Sequence, residues 1–492
     1  MIDHPQKPIR VRFAPSPTGF LHIGSVRTTL FNWLFAKQHH GEFILRIEDT
    51  DIERSKPQFE KDIIEGMTWL GLNWDEGPYK QSERLNIYEK YLQRLLDEKK
   101  AYYCFCSKEQ LEGDRQAMLA QGLAPKYSGR CRHLSIKESE GRLKNNEPTV
   151  IRFKTLETEI EFHDIIRGKI KFNTSLIGDI VIAKSLRLPL YNFSVTIDDF
   201  EMKITHIIRG EDHISNTPKQ ILIQRAFGFD EPKYAHLPLI LSSDRSKMSK
   251  RFLETALADY KKQGYLPEAI INFLALLGWH SKKDKEIFSL EELIQEFDLK
   301  RVQKAGAVFN LEKLEWLNTQ YIKKLNSTDL IEKMKEFIPP EWGNEENKEL
   351  LIKVVAIEKE RIKTLTDFKE LADFFFKLPD YDINLLAWPR PAEKTEIDKE
   401  KTLANLNLLI EELNKIFKTD FNKENLEKSI MPLTEVWGRG ELLWPLRASL
   451  SGKETSPGPF EIMEVLGKEE TLKRLDIAIS SLRGVKRRSN LK

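Results

Sequence analysis

The opening of the chain changes its hydrophobic period once. Ile9, Val11 and Phe13 alternate with polar positions as a strand does, whereas Val26, Leu30 and Leu34 recur at the spacing of one helix face. Between them lies PSPTG, residues 15–19, whose prolines and Gly19 punctuate the chain and fix a turn. The prediction is a strand, a shaped loop and a helix. A helix that starts after such a loop presents unpaired N–H groups and the positive end of its dipole, an ordinary place to hold a phosphate. His22 and Gly24 then stand where a nucleotide can come close.

The alternation of strand-like and helix-like stretches continues through EFILRIEDTD and FEKDIIEGMTWLGL to about residue 100. From about 101 to 190 the texture changes to a cysteine-bearing segment and then to alternating runs such as TVIRFKT and KIKFNTSLIGDIVIAK. It returns with YNFSVTIDDFEMKITHIIRG and TPKQILIQRAFGF. This is the pattern of an α/β, doubly wound nucleotide-binding domain split by an insertion. From PEAIINFLALLGW the pattern is helical nearly to the end, broken at LAWPRPAEKTE, residues 386–396, where two prolines mark a boundary. There is no internal repeat and no low-complexity segment.

The 492 residues, 40% of them hydrophobic, suffice for roughly three or four domains with their own cores. No apolar run approaches the roughly 18 residues that span a bilayer, and MIDHPQKPIR has no apolar stretch of a secretory signal, so the expectation is a cytoplasmic protein with no membrane partner. Net charge is +2, from 78 basic and 76 acidic residues, which excludes a bulk electrostatic footprint for nucleic acid. From residue 311 onward the balance is 31 basic to 33 acidic. Any RNA contact must therefore come from local arrangement, as in the terminal RGVKRRSNLK, a string that is also compatible with a solvated end.

All three cysteines fall between residues 104 and 131, as CFC and CRH. Cys104, Cys106, Cys131 and His133 have the composition of a closed structural zinc site, and buried unliganded thiols are the alternative. Ser107 followed by Gln110 forms a capping box, and Gly122 ends the helix so started. A metal would strap the two ends of that helix together.

Further along, HLPLILSSDRSKMSKRF puts Lys247, Lys250 and Arg251 on a Ser-rich loop, able to close over a polyphosphate and neutralise charge that builds at phosphorus. Together with APSPTGFLHIG this resembles the two signatures of class I aminoacyl-tRNA synthetases. RIEDTD, YNF…DD, THIIRGEDHISNTPKQ and GYLPEAIINFLALLGW are similar to stretches of the bacterial-type glutamyl branch, and the helical C-terminal third favours that branch over glutaminyl enzymes, whose anticodon domains are β-barrels.

The resemblance implies a Rossmann-like catalytic domain, followed by an all-helical anticodon-binding region. In this reading residues 1–100 and 191–252 are its two halves and 101–190 the insertion with the zinc-binding segment and acceptor-end contacts. Residues 253–325 are a helical stem-contact domain, and 326–388 and 389–492 two helical anticodon-binding domains, the first with Arg361 where an anticodon-reading arginine is expected. The implied substrates are L-glutamate, ATP with Mg2+, and a glutamate-accepting tRNA; glutamine-accepting tRNA stays open, and the family expectation is a monomer. His22, Lys247 and Lys250 match the catalytic signature residues, with His22, Gly24 and Lys250 meeting ATP. Arg12 matches the reader of the substrate's side-chain carboxylate, Glu48 the partner of its ammonium, and Ser16, Tyr191 and Arg209 the rest of the amino-acid pocket. Arg46 with Asp49 also reads as an ion pair at a strand end, and Tyr191 as a core aromatic. The sequence departs from the family pattern at Phe252 and Leu253 after KMSKR, where His-Gly is usual, and at SLRLP, residues 185–189, where a Ser-Asp-Gly turn precedes the proline. Ser25 stands in place of a second histidine, as is common in the glutamyl branch. A transferase acting on a tRNA base and a silent RNA-binding paralogue are the rival readings.

Overall fold

The computed structural model describes residues 8–242, 244–246, 256–388 and 397–484. The chain forms two compact units, Met1–Lys262 with Pro267–Leu314, and Gln263–Leu266 with Glu315–Lys492.

The first unit opens with β1 (Arg10–Phe13), α1 (Ile23–Gln38), β2 (Glu42–Ile47), α2 (Pro57–Trp69), β3 (Glu76–Lys80) and α3 (Leu85–Asp97). β1, β2 and β3 pair in parallel, with Arg12 opposite Ile44 and Ile44 opposite Glu76. Val11, Phe43, Ile44 and Leu45 are fully buried, as expected for parallel strands covered on both faces. α1 is buried on most sides, through Ile23, Val26, Leu30, Phe31 and Leu34, which makes it the inner helix of the unit. On α3 only one stripe, Tyr88, Leu92 and Leu95, meets the core.

The middle segment supplies β4 (Ala101–Cys104), α4 (Lys108–Ala120), α5 (Ile136–Lys144), β5 (Val150–Phe153), β6 (Glu159–Asp164), β7 (Gly168–Asn173), β8 (Val181–Ser185) and β9 (Leu188–Pro189). β4, β5, β8 and β9 form an antiparallel sheet in that order. The SLRLP stretch is the turn joining β8 to β9, with Ser185 paired to Leu188. α4 has its capping box: Ser107 Oγ accepts the Gln110 N–H at 3.2 Å and Gln110 Oε1 accepts the Ser107 N–H at 3.0 Å. Gly122 follows the helix end in the left-handed region, φ +71°.

Then come α6 (Tyr191–Glu201), β10 (His206–Gly210), α7 (Thr217–Phe227), β11 (Lys233–Leu237) and β12 (Ile240–Leu241). β10 runs parallel to β11, with Arg209 opposite His236, and sits beside β1, to which Thr205 N–H donates a bond at Arg10 O of 3.0 Å. The β6–β7 hairpin stays out of that antiparallel sheet and joins β11, with Tyr234 opposite Asp164, so the middle segment lends strands to the sheet of β10 and β11. The winding reverses between β1 and β10. In a doubly wound sheet the crevice at such a reversal, beyond the carboxyl ends of the strands, is where ligands bind.

In the second unit the described residues hold no strand. Helices Lys399–Lys415, Lys423–Trp437, Arg439–Ser451 and Pro459–Leu482 bury Leu406, Leu409, Leu426, Ile430, Leu442, Leu446, Ile462 and Leu475 completely. Residues 389–396 of the proline-bearing break lie outside the described residues.

Candidate active site

A cavity of about 620 Å3 opens at the carboxyl ends of β1, β10 and β11. Its lining includes Arg12, Ser16, His22, Gly24, Glu48, Tyr191 and Arg209, which brings together residues separated by up to almost two hundred positions in sequence. Lys247 and Lys250, with Arg251, Phe252 and Leu253, lie outside the described residues. The chain that follows them returns to the first loop, because Ala256 forms an antiparallel bridge with His22 and Leu257 N–H donates to Leu21 O at 2.8 Å.

The proline turn is pinned from below. Ser16 Oγ donates to Glu48 O at 2.7 Å, Glu48 N–H to Pro15 O at 2.9 Å, and Lys56 N–H to Pro17 O at 3.0 Å. His22 is the N-cap of α1: its Nδ1 accepts the Ser25 N–H at 3.4 Å, and Nε2 lies 3.0 Å from Ser25 Oγ. The serine that replaces the second signature histidine is thus a partner of the first. Gly24 follows in the first turn, with the dipole end of α1 facing the cavity.

Behind the wall that Arg12 and Glu48 supply lies a cluster of buried charge. Arg46, fully buried, donates from Nη1 to Asp199 Oδ1 at 2.8 Å and from Nη2 to Glu48 Oε1 at 3.1 Å. Arg12 grips the same Asp199 from Nε at 3.1 Å and Nη2 at 3.4 Å. Asp198 accepts from Gln81, Arg84 and Tyr88, each at 2.7 Å. Burial pushes the Asp199 carboxyl up, but Arg12 and Arg46 outweigh it and hold the group below its ordinary range. For Glu48 burial prevails over the two arginines, and its pKa is raised. The suggested Arg46–Asp49 pair does not form. Side chains two apart share a strand face, which puts Arg46 with Glu48, while Asp49 accepts from Ser82 N and Oγ at 2.8 and 2.6 Å.

The far wall comes from the second half of the sheet. The Tyr191 hydroxyl, at the start of α6, is 2.9 Å from His213 Nδ1, and its ring lines the cavity. Arg209 donates from Nη2 to Thr217 Oγ1 at 2.8 Å and from Nε to His236 Nε2 at 3.3 Å. Its Nη1 is buried with no hydrogen-bond partner among the described residues. Arg27, on α1, also reaches the cavity; it donates to Pro238 O and Leu277 O, and burial lowers its pKa to about 10 against the pull of Glu211. The sequence reading missed Asp199, His213 and Arg27. A charged residue inside the apolar run of α1 was the available signal for Arg27.

A second cluster lies in the middle segment. The Sγ atoms of Cys104, Cys106 and Cys131 are all within 4.8 Å of one another, Cys106 and Cys131 being 3.6 Å apart. His133, the fourth residue of the set expected from the sequence, is exposed and is not in this group of three. The chain turns directly after Cys131, through Leu134 N–H to Cys131 O at 3.4 Å, and carries the ring outward. The group beside the thiols is Tyr127, whose hydroxyl is 3.3 Å from Cys104 Sγ and 3.5 Å from Cys106 Sγ. Burial pushes the Cys106 thiol up to about 11, its neighbouring thiols adding to the shift. Three soft donors converging at this range fit a thiophilic cation such as zinc, which would bind them deprotonated.

A family model for the catalytic domain of class I tRNA synthetases, E and Q, matches residues 8–316, and one for an anticodon binding domain matches residues 329–479. A glutamate–tRNA ligase of Thermodesulfovibrio yellowstonii is 47% identical over 475 residues, covering 95% of this chain and 98% of its own. Glutamate–tRNA ligase 2 of Thermoanaerobacter pseudethanolicus is 42% identical over 488 residues, covering 97% and 99%. The crystal structure of a glutamate tRNA ligase from Elizabethkingia meningosepticum, in complex with its amino acid, superposes with a TM-score of 0.86 at 38% identity, covering 97% of this chain and 100% of that one. With both halves of the signature fold and the helical region matched end to end, the chain belongs to the glutamate–tRNA ligase family of class I aminoacyl-tRNA synthetases.

Proposed function

We infer that the cavity is where glutamate and ATP are brought together. The protein ligates L-glutamate to the 3′ end of tRNA in two steps. An oxygen of the glutamate α-carboxylate attacks the α-phosphorus of ATP; the bond to the β-phosphate breaks, and pyrophosphate leaves. A ribose hydroxyl of the tRNA terminus then attacks the carbonyl of the adenylate, loses its proton, and AMP departs. None of this requires a covalent link to the protein, so positioning and charge stabilisation carry the rate enhancement.

In our reading Arg12 and Arg209, with Tyr191, receive the side-chain carboxylate, Glu48 faces the substrate ammonium, and Ser16 keeps the turn in place. His22, Gly24 and the N-terminus of α1 receive ATP, whose Mg2+ travels with the phosphates. Lys247 and Lys250 are read as the cations that meet the transferring phosphate, on the strength of their sequence and of Ala256 bridging to His22. The observation that carries the reading is Arg209 Nη1, a buried guanidinium nitrogen without a partner among the described residues, on the wall of the cavity that Arg12 and Tyr191 share. An acceptor-only carboxylate satisfies such a donor.

The test is glutamate-dependent ATP–pyrophosphate exchange with tRNA present, followed by aminoacylation of purified glutamate and glutamine tRNAs. Exchange that follows glutamate and charging of the glutamate tRNA are expected; no exchange would support the silent-paralogue reading. The glutamine tRNA assay decides whether that tRNA is also a substrate.

The thiol cluster is read as a structural zinc site, with Cys104, Cys106, Cys131 and, two residues on, His133 as the four ligands. Metal analysis of protein purified without chelator should give about one zinc per chain, as a site closed by protein ligands holds its metal. Cys131→Ser should lower that content. A metal-free preparation that is folded and fully active would overturn the assignment.

A further inference from the structure

Arg209 is held by groups that the reaction does not use. Asp164, at the end of β6, and His236, on β11, are both fully buried. Asp164 Oδ2 accepts the His236 backbone N–H at 3.0 Å and lies 2.6 Å from His236 Nδ1; Oδ1 accepts the N–H groups of Ile166 and Arg167 at 2.9 and 2.8 Å. A carboxylate only accepts, so the imidazole proton sits on Nδ1 and the Nε2 lone pair faces the other way. There it meets Arg209 Nε at 3.3 Å and Thr217 Oγ1 at 3.1 Å, while Thr217 Oγ1 accepts from Arg209 Nη2 at 2.8 Å.

We propose that Asp164, His236 and Thr217 form a relay that positions the Arg209 guanidinium for the side-chain carboxylate of glutamate and so sets the preference for glutamate over glutamine. The proposal rests on the role given to Arg209 above. With Nε and Nη2 fixed, Nη1 has one orientation. With Arg12 facing the second oxygen, both carboxylate oxygens accept, whereas the amide of glutamine can offer its oxygen to one arginine and must set its NH2 donors against the other. The relay also gives the β6–β7 hairpin a purpose: a strand of the middle segment joins the nucleotide sheet at the residue that orients the pocket.

The relay needs a neutral His236. The charged groups around the ring are Asp164, Arg209 and Arg167; Arg167 pairs with Glu211, and its Nε donates to His236 O at 3.4 Å. Burial lowers the pKa of the ring; Asp164 opposes this, Arg209 and Arg167 add to it, and the net shift is downward. A protonated ring would set an N–H against the N–H of Arg209.

The test is steady-state aminoacylation with tRNA, with KM measured for glutamate and for ATP and unfolding followed in parallel. Asp164→Asn can donate to Nδ1 and move the ring proton to Nε2. It should raise KM for glutamate about tenfold or more, leave KM for ATP within about twofold, and reduce the glutamate-over-glutamine ratio. Thr217→Val, close in shape, should raise KM for glutamate by about threefold to tenfold. His236→Asn should resemble Asp164→Asn, and His236→Gln, which can place an acceptor oxygen near the position of Nε2, should recover most of the loss. If Asp164→Asn does not fold, Thr217→Val and the two His236 variants decide. A glutamate KM within about twofold of wild type in these variants, or an equal rise in KM for ATP, overturns the relay. Arg209→Gln separates the two levels: if it too leaves KM for glutamate unchanged, the role of Arg209 is wrong and the relay falls with it. If it raises KM while the relay variants do not, only the relay is wrong.

Discussion

The two units bury charge in different ways. Around the cavity of the first, Arg12, Arg46, Glu48, Asp198, Asp199 and Arg209 are all at most 8% exposed; the first five lean on one another's side chains, and Arg209 on Thr217 and His236. Among the described residues of the second, Glu358 and Arg474 are the buried charged groups. Arg474 has every nitrogen engaged: Nη1 donates to Phe374 O and Leu450 O at 2.8 and 2.7 Å, Nη2 to Phe375 O at 3.4 Å, and Nε to Glu470 at 2.9 Å. Those carbonyls close helices Asp367–Phe376 and Arg439–Ser451, where a cation also meets the negative dipole ends. A buried arginine with every nitrogen engaged is a clasp. One with a nitrogen left over on a cavity wall, as in Arg209, has a donor to spare, and we propose it as a receptor.

The sharpest way to break this contrast is at Arg46. Arg46→Met removes the shared partner of Asp199 and Glu48, leaving Glu48 without its arginine and Asp199 with Arg12 alone, a loss of about 3 to 5 kcal/mol in stability by chemical denaturation. A loss under about 1 kcal/mol would mean that the cluster tolerates its charges singly.

Next is Arg12, which holds the cluster together through Asp199 and which we propose also receives the substrate. Arg12→Gln should cost about 2 to 4 kcal/mol in kcat/KM for glutamate, from a buried charge-assisted pair. Kinetics within about threefold of wild type would make Arg12 a clasp for Asp199 and nothing more.

Arg474→Met should destabilise the helical unit by about 1 to 3 kcal/mol through its orphaned carbonyls, with glutamate-dependent exchange unchanged below the unfolding transition. Altered KM for glutamate in this variant would dissolve the distinction between clasp and receptor.

The smallest effect concerns Glu358. Burial raises its pKa to about 7 against the pull of Arg361, which donates to both its oxygens at 3.1 and 2.8 Å. A carboxyl raised above its unfolded value favours the folded state below that unfolded value, and the contribution is lost as pH rises through about 7. Unfolding of the helical unit should therefore be harder at pH 5 than at pH 8 by on the order of 1 to 2 kcal/mol, and Glu358→Gln should flatten the difference. The same contact bears on Arg361, expected from the sequence to read an anticodon: its Nη1 is engaged within the unit.

What was legible from the sequence was local. The change of hydrophobic period around PSPTG gave the strand, the turn and the helix because each depends on neighbours a few residues away. The Ser107 cap and Gly122 were readable for the same reason. Pairing was less legible. Arg46 was read toward Asp49, its near neighbour in sequence, when the alternation of a strand sends it to Glu48 and, across the fold, to Asp199. His133 was counted with the thiols from the C-x-H spacing, and among the described residues the thiols alone form the group.

The sequence by itself determined the order of elements, the turn between β1 and α1, the clustering of thiols and, through its signatures, the family. Those properties reside in runs of residues whose conformational preferences act over one or two turns. Only the tertiary structure decided that Asp164 of the middle segment meets His236, that Asp199 binds Arg12 and Arg46 together, and that Arg209 keeps one nitrogen without a partner among the described residues. Such pairings join positions far apart in the chain. Sheet order brings them within hydrogen-bond reach, and exclusion of water makes each mismatch costly enough to fix the partner.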